Sequence, residues 1–115
     1  MALLQGFQKR YLRSLAHARK PVVFVGQKGL TETLAGALED ALDHHELVKV
    51  KFVDFKEKEK KTAMAETIAA RMNCEVVGVI GHMVTFYRQQ RDPEKRRITV
   101  PRRASDMKAA GDRGR

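Results

Sequence analysis

The chain has 115 residues, 43% of them apolar, enough to close one hydrophobic core but not two, so a single domain is expected. Its formal charge of +9 and pI near 10.1 point to a polyanionic partner, nucleic acid before an anionic membrane surface. The single cysteine, Cys74, excludes an intrachain disulfide and a cysteine-based zinc site. No apolar run approaches a membrane span and the N-terminus lacks the apolar core of a secretory signal, so a cytoplasmic location is expected.

The charge is unevenly placed. Residues 1–20 carry five Lys or Arg and no acid, residues 21–87 carry eight against ten, and residues 88–103 carry seven against two. In the first of these stretches Leu4, Phe7, Tyr11 and Leu15 fall on one helical stripe with Lys9 and Arg13 opposite. That pattern predicts an amphipathic helix from Leu4 to His17 with a basic outer side. Pro21 opens a short strand where a missing N–H costs little, and the unbroken run Val22–Val25 predicts a centrally buried strand. A turn follows at Gly26-Gln27-Lys28-Gly29. Thr31 then caps a second helix to about Asp43, with Leu30, Leu34, Ala37, Leu38, Ala41 and Leu42 on one side.

His44-His45-Glu46 reads as a linker to a strand over 47–53, in which Val48, Val50 and Phe52 alternate with Lys49 and Lys51. Alternating charges from residue 54 lead into a third helix over about 57–72, whose apolar side is Met64, Ala65, Ile68, Ala69 and Met72; Asn73 is a suitable stop. Glu75–Ile80 and Met83–Arg88 predict a hairpin closed by Gly81-His82 in a type II′ turn. Beyond Arg88, basic residues surround Ile98-Thr99-Val100, which predicts an added edge strand, and disorder is expected from Ala104. The order α-β-α-β-α-β-β gives an α+β class with a four-stranded mixed sheet packed by helices. The domain is placed at 1–100 and a basic tail at 101–115.

Of three Gly-x-x-Gly spacings, only Gly26–Gly29 has a strand before it and a helix after. Glycines permit close backbone approach, and a helix start directs unpaired N–H groups at the turn, so an anionic group such as a phosphate suits it. Gln27 and Lys28 form the tip, and Arg19-Lys20 stand just before the strand, so positive charge is expected on both sides of the turn. Lys9, Arg10, Arg13, Arg19 and Lys20 would extend a basic patch, and Arg88, Arg91, Arg96 and Arg97 would form a second arm. With no tryptophan and seven aromatics, most needed for the core, base stacking is expected to be minor.

Leu15-Ala16-His17, Lys20-Pro21-Val22-Val23, Gly26-x-x-Gly29-Leu30-Thr31, the run Ala41 to Lys51, and Val79-Ile80-Gly81 with Tyr87-Arg88 together resemble the CRM domain, the family of chloroplast RNA splicing and ribosome maturation. The resemblance covers about residues 8–88. Its short length is similar to that of the stand-alone bacterial members, which associate with precursors of the large ribosomal subunit. It implies a fold similar to the C-terminal domain of translation initiation factor three, and an RNA-binding surface that includes Gly26–Gly29. Asn73-Cys74 departs from the glycine usual before the third strand, and the basic tail is longer.

The expectation is therefore non-catalytic RNA binding, to ribosomal RNA in large-subunit precursors, by a monomer with no cofactor, metal, small-molecule substrate or membrane partner. The competing reading is a protein-binding assembly adaptor that docks through Glu39, Asp40 and Asp43. A nuclease using Asp54, Glu57 and Glu59 is weaker, because lysines alternate with those acids as on a solvated face. Adjacent histidines at 44 and 45 lack partners at metal-ligand spacing.

Overall fold

The structure is a computed structural model that describes residues 4–53 and 57–103. Helix α1 runs Gly6–Ala16, strand β1 Val23–Val25, helix α2 Glu32–His45 and strand β2 Leu47–Phe52. Helix α3 (Lys58–Met72), strands β3 (Glu75–Ile80) and β4 (Met83–Tyr87) and a 3-10 turn at Pro93–Lys95 complete the order, which is the expected one. The sheet is mixed, in the order β1-β2-β4-β3, with β1 parallel to β2 and the other pairs antiparallel.

Alternation along β2 divides the core in two. Val48, Val50 and Phe52 face α2 and α3 together with Val23, Val25, Val84 and Phe86, and that side closes over Leu38, Leu42, Ala65 and Ile68. Leu47 faces the other way and joins Tyr87, Val77 and Ile98 against Leu12 and Ala16 of α1. Val77 points into this second core, and a register shift between Val76 and Gly78 places Gly78 on the same face, opposite Thr85. Gly78 is needed beside it, because a Cβ there would lie 2.6 Å from Cδ of Arg13, whose stem crosses the strand.

Local chemistry sets the ends of the elements. The Thr31 hydroxyl accepts from the Leu34 N–H at 3.2 Å, Asn73 stops α3 at φ +53, and Gly81, at φ +57, turns the two-residue hairpin with Ile80 opposite Met83.

Five expectations are corrected. The first helix begins at Gly6, and its deepest residues are Leu12 and Ala16, four apart, rather than the aromatic stripe. Strand β1 is an edge strand whose middle residue, Phe24, is 55% exposed; an apolar run does not distinguish a strand covered on both faces from one whose second face is open. His44 and His45 complete α2 instead of linking it to β2. Ile98-Thr99-Val100 forms no strand; Ile98 is buried under α1 and holds the segment against the domain by packing. The Arg19-Lys20 pair stands at the far end of β1 from the turn it was expected to flank. The tail from Ala104 and the carboxylate of Asp54 lie outside the described residues.

Candidate nucleic-acid interface

The Gly26–Gly29 turn leaves the sheet one residue after β1. Gly29 N–H donates to Gly26 O at 3.0 Å, closing a four-residue turn with Gln27 and Lys28 at its tip, both exposed. Gly29 itself is buried at φ +69, and a Cβ there would sit 2.9 Å from the Met64 methyl. This glycine therefore serves the inner side of the turn, where α3 passes close beneath it, and its N–H is already used. The helix mouth is also partly satisfied: Thr31 takes the Leu34 N–H, and Glu32 adds a carboxylate to the first turn, held 2.8 Å from Arg71. What the turn offers a phosphate is its exposed tip and the Lys28 ammonium.

The basic residues named from the sequence fall into four places. Lys9 and Arg10 lie on the outer side of α1, and Arg13 donates to Val77 O at 3.0 Å while its stem covers Gly78. Arg19 and Lys20 precede β1 and stand at the end opposite the turn. Six extended residues at about 3.3 Å each separate Lys20 from Gly26 by up to about 20 Å, so the expected flanking of the turn does not occur. They instead share a groove of about 330 Å³ with His45, Lys49 and Arg97. Arg19 donates to Leu47 O at 2.9 Å, and Lys49 Nζ donates to Arg19 O at 3.0 Å.

Arg88 turns inward. Its guanidinium donates to Glu39 Oε2 at 2.6 Å, to Asp43 Oδ1 at 2.9 Å and to Met72 O at 2.9 Å, with the side chain only 15% exposed. Burial works against the charge, but the two carboxylates outweigh it and raise the pKa above the ordinary arginine value. The geometry makes Arg88 a clamp between α2, α3 and β4 rather than part of a free arm. Arg91 and Arg96 line the same hollow beside it, with Glu39 and Asp43.

Glu46, a linker residue by its sequence position, organises the residues after Arg88. It is 1% exposed, it adopts φ +62, and its carboxylate accepts from the N–H groups of Gln90 (2.8 Å), Arg97 (2.7 Å) and Ile98 (3.0 Å). Three donors satisfy a charge that burial would otherwise make costly. A short helix-to-strand connection gives no sequence signal for this role.

Among the described residues, carboxylates pair with Arg71, Arg88 and Lys60, whereas none of Lys9, Arg10, Arg13, Arg19, Lys20, Lys28, Lys49 and Lys51 makes an ion pair there. No three His, Cys, Asp or Glu side chains among them come together as a metal site requires, and no helix is long and apolar enough to cross a membrane.

The family model of the CRS1 / YhbY (CRM) domain matches residues 4–88, slightly more of the chain than the motifs alone span. A protein of Haemophilus influenzae named "RNA-binding protein" is 39% identical over 103 residues, 90% of this chain and 100% of that one. A protein of Pseudomonas aeruginosa named "Probable RNA-binding protein" is 38% identical over 102 residues, 89% of this chain and 96% of that one. In three dimensions the chain is similar to the solution structure of a hypothetical protein of Staphylococcus aureus, described as a candidate RNA-binding protein. The TM-score is 0.70 at 37% identity, covering 86% of this chain and 100% of that one.

Proposed function

This chain belongs to the CRS1 / YhbY (CRM) domain family, and we propose that it binds structured RNA without catalysing a reaction, acting as a monomer on ribosomal RNA in precursors of the large subunit. The observation that carries the reading is the divided use of charge. Carboxylates pair with Arg71, Arg88 and Lys60, while the lysines and arginines of α1, of the Gly26–Gly29 turn and of β2 face solvent or backbone without an ionic partner among the described residues. In a chain of net charge +9, a surface left uncompensated in this way suits a polyanion, and phosphate contacts supply most of the affinity in such complexes.

Lys28 and the turn tip would grip one phosphate; Lys9 and Arg10 would meet a second stretch of backbone, and Arg19, Lys20 and Arg97 a third. The names of the bacterial relatives support the choice of RNA. Ribosome assembly is the process that the resemblance to the stand-alone members favours. The adaptor reading loses ground here, because Arg88 already occupies two of its three carboxylates, Glu39 and Asp43.

The test is fluorescence anisotropy with fragments of large-subunit ribosomal RNA, comparing the parent with Lys28→Ala and with Lys9→Ala/Arg10→Ala. These changes are on exposed or half-exposed side chains and leave the core intact. Each variant should bind several-fold more weakly at about 150 mM salt, where screening leaves only close contacts. Tagged parent protein should sediment with large-subunit precursors. Affinities equal to the parent's would remove the turn and α1 from the interface, and sedimentation with no ribosomal particle would remove the assembly role.

A further inference from the structure

Helix α1 covers only part of its side of the sheet. Leu47, Val77 and Tyr87 lie beneath it, but at the other end, beside the Gly26–Gly29 turn, the same face carries no helix among the described residues. Strand register places four residues in a row across that open half: Phe24 beside Lys51, Lys51 beside Met83, and Met83 beside Ile80. Phe24 is 55% exposed and Ile80 75%. Lys49, two residues before Lys51, lies on the same face and borders both grooves on this side.

Resting on the RNA reading above, we infer that this open sheet face takes unpaired nucleotides, with bases laid on Phe24 and Ile80 and phosphates on Lys51 and Lys49. Four observations carry the inference. First, the row sets an aromatic and two aliphatic side chains around Lys51 on a four-stranded sheet, with Lys49 on the same face, an arrangement suited to flat bases joined by anions. Second, a groove of about 270 Å³ opens between the end of α1 and the sheet, lined by Arg13, His17, Lys49, Ile80, Met83 and Thr85. It lies just under the roughly 300–1,000 Å³ of small-molecule sites, which suits one ring system rather than a larger ligand.

Third, among the described residues no carboxylate lines this groove or its neighbour with Arg19, Lys20 and Arg97, so the apolar surface sits in a field of one sign. A second copy of the chain, itself at +9, is the occupant that field suits least. Fourth, Phe24 is two residues from Gly26, so the row begins beside the turn that carries Lys28. The small share expected for stacking follows from placing the aromatics in the core, and Phe24 is outside it.

The experiment compares two RNA hairpins with equal numbers of base pairs, one fully paired and one carrying a bulge of five uridines. Phe24→Ala and Ile80→Ser change exposed side chains. Each should weaken binding to the bulged hairpin about tenfold, leave the paired one unchanged, and keep the salt dependence of the parent, because no charge is removed. Methyl resonances of Ile80 and Met83 in the parent should shift with the bulged hairpin and not with the paired one, a readout independent of how well a variant folds. Parent-like affinity of both variants for the bulged hairpin, or methyl resonances that ignore it, overturns the inference while leaving phosphate binding in place. A parent that binds neither hairpin overturns the RNA reading and the inference with it.

Discussion

Tyr87 combines two features with opposite effects on stability. Its ring fills the core beneath α1, but its hydroxyl is buried without a hydrogen-bond partner among the described residues, and burial first, then the nearby Glu46 charge, pushes its pKa from 10.0 up to about 12. Burial likewise pushes the Cys74 thiol from 9.0 up to about 12, against the opposing charge of Arg88. Both groups are neutral when folded, and in the unfolded chain they lose their protons at lower pH. The folded state therefore binds more protons above about pH 9, and stability should be level below that and fall as pH rises from about 9 to 12. Tyr87→Phe removes the orphaned hydroxyl and one of the two titrations. Urea melts should show it unchanged or up to about 1 kcal/mol more stable at pH 7, with a shallower alkaline decline. A drop in stability above about 1 kcal/mol at pH 7 would mean the hydroxyl is well satisfied.

Among the elements, the segment after β4 depends most on one side chain. Glu46 holds it through three backbone donors, while Ile98 and Val100 pack under α1. Its φ of +62 is strained for a residue with a Cβ, and the bonds made by its carboxylate offset that cost. Glu46→Ala should cost on the order of 3 kcal/mol and speed amide exchange at Gln90, Arg97 and Ile98. Glu46→Gly relieves the backbone and should restore none of that protection; protected amides in either variant would mean that packing alone holds the segment.

The elements themselves are largely legible in the sequence. The alternation in β2 identifies which residues face α2 and α3, Thr31 and Asn73 mark helix ends, and Gly81 marks the hairpin. Long-range placement is not legible. The run Val22–Val25 has the same pattern whether its strand is central or at an edge, so nothing local sets Phe24 outside the core. Arg88 resembles the first residue of a basic arm because the carboxylates that receive it are 45 and 49 residues away in sequence. Glu46 carries no local signature, since its partners are 44 to 52 residues later.

For the molecule as a whole, the separation of charge defines the surface. Acids of α2 are drawn into the Arg88 clamp, and the uncompensated bases spread over α1, the turn at Lys28 and the lysine side of β2. Such a surface should bind RNA with an affinity governed by counterion release. The most direct measurement is the affinity of the parent for a large-subunit ribosomal RNA fragment over a series of salt concentrations, repeated with Lys28→Ala/Arg10→Ala. A steep linear fall of log affinity with log salt is predicted, with a slope that is smaller by about one for each phosphate the variant no longer neutralises. A parent whose binding is indifferent to salt, or a double variant with an unaltered slope, would contradict the account.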